Sequence, residues 1–241
     1  MSDDFPGRYA LYWAPQEGSD LARLGGAWLG LREESNSAGP PPPIPGFDAL
    51  RIHVLTAEPR RYGLHATLKP PFALADGTDL AALRRAVVAF AAAQACMTLP
   101  ALEVTLLDRF IVLTPSAASP ALDALAADCV TRFDRFRAPP RPAELARRRS
   151  AKLSPAEEAH LRRWGYPYVL DRFRFHVTLT GPLDPAEAER LMPPLIRLFE
   201  PVTRAPVTLS DIALFHEPAR GAPFRLVERF SLQAAPRRTR P

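Results

Sequence analysis

Apolar and polar positions along the chain fall into strands and helices that come in a repeated order. The stretch "RYALYWAP" (8–15) reads as an opening strand, and an amphipathic helix follows from about Ser19 to Leu29. "YGLHATLKPPF" (62–72) alternates about Ala66 and Leu68 and predicts a short strand. A turn signal, "ADGTD", leads into an apolar-periodic helix from about Asp79 to Ala95. "ALEVTLLDRFIVLTP" then reads as two strands meeting near Asp108 and Arg109. The second half runs the same way. "FRFHVTLTGPL" (173–183) predicts a strand. "DPAEAERLMPPLIRLFE" predicts a helix with Asp184 as N-cap, Pro185 at N1 and Glu187 at N3, and "VTLSDIALFHEP" and "FRLVERFSLQ" predict two more strands.

Strand, helix, strand, strand therefore occurs twice, which points to an internal duplication of a βαββ unit. The expected fold is α+β: a single bilobal domain whose pseudo-twofold-related lobes carry antiparallel sheets flanking a central cleft. Lobe one is expected at about 50–137, with a histidine-bearing strand at 64–70, and lobe two at about 173–233. A helix from Ser119 and Pro120 to about Arg137 closes the first half. Residues 138–172 form an Arg-rich inter-lobe segment with its own helix start, "SPAE", where Ser154 and Glu157 make a capping box around Pro155. "SNSAGPPPPIPG" (35–46) predicts a surface loop, partly polyproline, and the tail 234–241 a disordered, solvated end.

Composition narrows the class. With 241 residues and 47% hydrophobic content the chain is long enough to bury its own core. The start, "MSDDFPGRYALYWAP", has two acids and no basic region ahead of its apolar residues, unlike a secretory signal. The most apolar stretch, Ala86 to Met97, is too short to span a bilayer and includes Gln94, so no membrane association is expected. Cys96 and Cys129 match no metal or redox spacing and read as buried thiols of a reducing, cytoplasmic compartment. The net charge of +5 comes almost wholly from arginine, Lys69 and Lys152 being the only lysines. That balance fits either a compositional preference for Arg or attraction of an anionic substrate.

The chemistry sits on the two repeat-opening strands. "HATL" (65–68) and "HVTL" (176–179) both read histidine, apolar, threonine, apolar. Side chains alternate faces along a strand, so His and Thr at i and i+2 point the same way, roughly 6 to 7 Å apart. Two such strands about a twofold place two imidazoles and two hydroxyls around one cleft. In-line attack on phosphorus uses that set: one imidazole takes a proton from the nucleophile and the opposite one gives a proton to the departing oxygen. The threonine hydroxyls can hold non-bridging oxygens, and no metal or cofactor is required. One His-x-Thr taken alone usually marks a structural histidine. Two copies in equivalent places carry the prediction.

Other positions have two readings each. Lys69 and Thr180, at i+4 of the two strands, either share the catalytic face or sit at its solvated rim. Arg174, at i−2 from His176, is a candidate second phosphate clamp without a symmetric counterpart, since Gly63 holds the equivalent place. In "WGYPYV" (164–169), Tyr166 or Tyr168 either plugs the inter-lobe segment against the core or contacts a substrate. Of Tyr12 and Trp13, which alternate, one is expected in the core and the other toward the cleft. "ARRRS" (146–150) reads as a solvated helix face or as a polyanion-steering patch, and His53, His160 and His216 default to structure.

The paired "HATL" and "HVTL", about 110 residues apart, resemble the signature of the two-histidine (2H) phosphoesterase superfamily, which includes RNA 2′,3′-cyclic phosphodiesterases and RNA 2′-5′ ligase-like proteins. "RYALYWAP", "YGLHATLKPPF", "FRAP", "ELARRR", "WGYPYV" and "FRFHVTLTGPL" together resemble the branch found alongside bacterial phosphonate-degradation genes, over roughly residues 8–233. The resemblance implies that His65 and His176 are catalytic and that Thr67 and Thr178 bind phosphate. It implies a metal-independent phosphoesterase acting on a cyclic or internal phosphodiester of a small phosphorylated sugar or nucleotide. The alternatives are an RNA-end 2′,3′-cyclic phosphodiesterase or 2′-5′ ligase-like enzyme, and a non-catalytic module binding RNA or nucleotide.

Overall fold

In a computed structural model, residues 5–31 and 41–233 are described. The expected disordered tail and residues 35–40 of the proline-rich loop lie outside them. The chain opens with β1 (Arg8–Trp13), then α1 (Asp20–Leu29), which Ser19 caps by accepting from the Ala22 N–H and Gly30 ends in the left-handed conformation at φ 73°. Two short helices, α2 (Ala49–Leu55) and α3 (Ala57–Tyr62), occupy a stretch whose pattern predicts no element. The first histidine strand, β2 (Ala66–Phe72), follows, and then α4 (Leu80–Ala91), capped by Asp79. β3 (Met97–Leu99) precedes the hairpin of β4 (Leu102–Leu107) and β5 (Phe110–Pro115), which turns at Asp108 and Arg109 with Asp108 at φ 53°.

α5 (Pro120–Arg132) ends earlier than its apolar pattern suggests, with a single 3-10 turn at Asp134–Phe136 beyond it. In the Arg-rich segment lie α6 (Pro142–Arg149) and α7 (Pro155–Trp164), the latter started by the Ser154–Glu157 capping box. The second histidine strand, β6 (Val177–Thr178), is only two residues long. α8 (Pro185–Thr203) is capped by Asp184 and runs through Pro193, Pro194 and Pro201. The predicted strand "VTLSDIALFHEP" splits at Ser210 into β7 (Val207–Leu209) and β8 (Asp211–Glu217), and β9 (Arg225–Ser231) completes the fold.

The sheets cross the repeat boundaries. One has the order β2-β1-β8-β9 and another β4-β5-β6, both antiparallel. β2 therefore joins strands from the second half, and β6 joins the hairpin from the first. Each helix stays with its histidine strand: α4 touches β9 in the sheet of β2, and α8 lies on β4 and β5 in the sheet of β6. The two strands that follow each helix then cross to the other sheet. The crossing is tied by the equivalent strands β3 and β7, which pair antiparallel with Thr98 opposite Thr208, as a twofold relation between the halves requires.

A continuous apolar core joins these layers, from Leu11 and Trp13 of β1 through Leu113 and Val177 to Leu191 and Phe199 of α8. The buried Trp28 Nε1–H donates to the Leu179 carbonyl at 2.8 Å, and the Gly181 N–H to the Leu55 carbonyl at 2.6 Å, so α1 and α2 hold the end of the short β6. Cys129 is a buried free thiol, while Cys96 is only half-buried. Among the described residues no helix is long and apolar enough to cross a membrane.

Candidate active site

His65 and His176 hold equivalent backbone positions, each one residue ahead of its strand's first ladder residue, Ala66 and Val177. Each ring is tethered identically: Nδ1 of His65 lies 3.0 Å from the Gly63 carbonyl, and Nδ1 of His176 lies 2.7 Å from the Arg174 carbonyl. A carbonyl oxygen only accepts, so Nδ1 carries the hydrogen in both rings and Nε2 is the free nitrogen. Gly63 adopts φ 73° in making its tether, a left-handed conformation open to glycine at little cost.

Both imidazoles line one cavity of about 840 Å³ together with Thr67 and Thr178. Among the described residues no protein group bonds to either threonine hydroxyl, which leaves both available. Burial, the largest cause, holds His65 down at about 4, with a smaller push in the same direction from the charge of His176 and a partial offset from the Gly63 carbonyl. Burial also lowers His176, offset by the Arg174 carbonyl and by Asp108 at the β4–β5 turn. His65 is further walled by two tyrosines: the Tyr12 ring lies 4.1 Å from it, centroid to centroid, and Tyr62 stacks at 5.5 Å. Tyr12 is thus the cleft-facing member of the Tyr12–Trp13 pair and Trp13 the core member, in contact with Phe175. Tyr62, just ahead of the motif, carried no pattern to single it out.

Three candidate contacts fall elsewhere. Lys69 does not share the face of His65 and Thr67. β1 pairs Tyr12 with Thr67 but its next residue, Leu11, with Lys69, so a bulge absorbs Leu68 and turns Lys69 to the core side. There Lys69 is 1% exposed, donates to the Val130 carbonyl at 3.0 Å and lies 3.9 Å from Asp134; burial lowers its pKa to about 8. Arg174 contributes its carbonyl to His176, but its exposed side chain lines a separate hollow with Thr114 and Ser119, because β6 begins only at Val177 and strand alternation does not reach back to it. Thr180 borders the cavity, yet its Oγ1 is taken by the Ile111 N–H at 3.0 Å. Tyr166 lines the cavity and Tyr168 is exposed outside it, the two rings meeting edge-on at 5.7 Å.

The placement of Lys69 has a measurable consequence. Lys69→Met should leave kcat/KM for any phosphodiester within about twofold of wild type and the melting temperature unchanged or raised, since a buried charge is exchanged for apolar volume. Asp134 keeps Arg137 at 2.8 Å and Arg163 at 3.3 Å, so no carboxylate is orphaned. A large KM increase would return Lys69 to the substrate.

The Arg-rich segment forms part of the cavity wall. Arg147 and Arg148 of α6 line it, whereas Arg149 turns outward to Glu158 at 2.7 Å. Arg8 of β1 faces Glu217 of β8 across the ladder and bonds it at 2.6 Å, and Arg61 reaches the same fully buried carboxylate at 3.1 Å. None of Arg8, Arg61 and Glu217 stood out in the sequence, because strands β1 and β8 lie far apart in the chain. His160 is bound to Asp171 at 2.5 Å, and the Tyr9 ring stacks on His216 at 4.6 Å, so both histidines serve structure. Among the described residues no group of three or more His, Cys, Asp or Glu is placed to hold a metal ion.

An α+β protein with a duplicated His-x-Thr cleft is thus the class that fold and site define. The chain belongs to the DUF1045 family, a protein family of unknown function whose pattern matches residues 67–225. It is 38% identical over 230 residues to a Janthinobacterium sp. (strain Marseille) protein named ribose 1,5-bisphosphate phosphokinase PhnN, covering 93% of this chain and 50% of that one. A Laribacter hongkongensis (strain HLHK9) protein of the same name is 37% identical over 220 residues. The chain spans about half the length of these curated relatives. Among solved structures, Escherichia coli LigT complexed with 3′-AMP is 16% identical with a TM-score of 0.41, covering 95% of this chain and 99% of that one. The same protein complexed with NADP+ gives 14% and 0.42, with the same coverage.

Proposed function

We propose that the protein is a metal-independent phosphodiesterase that opens a cyclic phosphodiester by paired-histidine acid–base catalysis. The observation that carries this reading is the identical tethering of His65 and His176 through Nδ1, which presents two free Nε2 atoms and two unclaimed threonine hydroxyls to one cavity. His65, with the deeper pKa depression, is the base: it takes a proton from water as the oxygen adds to phosphorus. His176, whose lowering by burial is partly offset by the Arg174 carbonyl and Asp108, gives its proton to the sugar oxygen as that P–O bond breaks. The product is a phosphomonoester, with Thr67 and Thr178 holding the non-bridging oxygens throughout.

Relatives named for ribose 1,5-bisphosphate suggest a substrate of similar chemistry, a ribosyl cyclic phosphate belonging to phosphonate metabolism. The pH profile of kcat/KM tests the assignment. A base must be deprotonated, so the rate should rise with pH through about 4, the His65 value. An acid must be protonated, so the rate should fall as pH rises through the His176 value, which lies below the ordinary histidine 6.5. The expected profile is a bell with its maximum on the acid side of neutrality. A rate still climbing at pH 8 would sink the paired-histidine mechanism.

A further inference from the structure

Besides the two histidines, the cavity wall carries Arg8, Arg61 and Arg148 from three separate parts of the chain. Arg8 and Arg61 share Glu217, and Arg8 lies 3.9 Å from Glu144 of α6, the helix that carries Arg148. On β1, Arg8, Ala10 and Tyr12 alternate onto the cavity face, so Arg8 and the tyrosine that touches His65 stand on the same strand, four residues apart. Tyr12, Tyr62, Tyr166 and Glu217 line the same cavity as Arg8. The tyrosine that touches His65 and the arginine Arg8 are thus set on one strand face.

The fully buried Glu217 organises the near half of the arginine group. It takes Arg8 at 2.6 Å, Arg61 at 3.1 Å and the Gly221 N–H at 3.0 Å, so two guanidiniums share one carboxylate. The other contacts of this pair are weak, Arg8 to Glu144 at 3.9 Å and Arg61 to Glu58 at 3.7 Å. The far half is Arg148, whose guanidinium lies 4.3 Å from the centroid of the Tyr166 ring. Among the described residues Arg148 makes no ion pair, and its buried Nε, like that of Arg61, has no hydrogen-bond partner. A half-buried guanidinium resting on an aromatic face without a counter-ion is poised for an anion.

We infer that Arg8, Arg61 and Arg148 form a second phosphate-binding subsite beyond Tyr12, and that the substrate is a small molecule carrying a phosphomonoester besides the phosphodiester that lies between the histidines. This rests on the proposed phosphodiesterase reading for the group at the histidines, but not for the subsite itself. Tyr12 and Tyr62 set the spacing between the two phosphates, and Tyr166 orients Arg148. Hydrolysis at the histidine end would deliver a sugar bisphosphate, so a kinase or phosphatase acting on such a bisphosphate is the class of reaction that would consume it.

Arg148 is the residue to replace, because it stands outside the Glu217 cluster and its loss orphans no acid. Calorimetry on the wild type should show ribose 1,5-bisphosphate binding about tenfold or more tighter than ribose 1-phosphate. That gap should shrink several-fold in Arg148→Ala and recover in part in Arg148→Lys. With ribose 5-phosphate 1,2-cyclic phosphate as substrate, Arg148→Ala should raise KM with kcat little changed, and with ribose 1,2-cyclic phosphate it should change neither. Equal affinity for the two binding probes, or an equal KM effect on both substrates, overturns the subsite while leaving paired-histidine hydrolysis intact. A retained preference for the bisphosphate with no hydrolysis of either cyclic phosphate supports the subsite and removes the phosphodiesterase reading instead.

Discussion

Replacing His176 with alanine is expected to lower kcat on a ribosyl cyclic phosphate by about 10² to 10⁴, and His65→Ala by a similar factor. The two losses should differ in kind. Without His176 the departing sugar oxygen leaves as an alkoxide, so a phosphodiester with a 4-nitrophenyl leaving group should recover much of the rate. Without His65 the attacking water keeps its proton and no leaving group compensates. Each variant should also lose one limb of the pH profile: the alkaline limb for His176→Ala and the acid limb for His65→Ala. His65→Ala additionally removes a ring packed between Tyr12 at 4.1 Å and Tyr62 at 5.5 Å, and so should cost stability that His176→Ala does not. If both variants retained wild-type turnover, the cavity would have to work by other chemistry.

The part of this site that the sequence displayed was the part written locally. His-x-Thr occupies four consecutive residues, and the period of two on a strand puts His65 with Thr67, and His176 with Thr178, without reference to anything distant. The caps of α7 and α8, and the starts of α1 and α4 near Ser19 and Asp79, were legible for the same reason, since each is set by neighbours within one helical turn. Extending the period of two by one further step failed at both strands. On β2 a bulge opposite β1 inverts Lys69, and a bulge is a property of the partner strand as much as of the sequence that carries it. On the other strand the ladder is two residues long, so Arg174 never enters an alternating stretch.

Strand exchange between the sheets was hidden for a related reason. The repeat order is local, but which strand pairs with which depends on the crossing at β3 and β7. Arg8 and Glu217 illustrate the consequence. They are Cα partners across the β1–β8 ladder, 209 residues apart in the chain, and neither is distinguished by its neighbours. Arg148 was visible only as one of three arginines on a helix, and its place against Tyr166 follows from how α6 and α7 meet the cavity.

The threonines should divide in a way that separates chemistry from architecture. Thr67→Val and Thr178→Val should each reduce kcat by about 10² to 10³, the scale for removing one preorganised donor from a developing oxyanion. Neither hydroxyl is bonded within the described protein, and valine suits a strand, so both variants should melt within about a degree of wild type or slightly above it. Thr180→Val should behave in the opposite sense. Its Oγ1 accepts the Ile111 N–H at 3.0 Å in a fully buried setting, so removing it strands a backbone donor and costs about 1 to 3 kcal/mol of stability. Its kcat should change much less than theirs, because its hydroxyl is already occupied. Parallel melting curves and single-turnover rates on the three variants decide the matter. A Thr67→Val or Thr178→Val protein that unfolds early but turns over normally would make those hydroxyls structural, and would leave the histidines without a partner to hold the phosphate in line.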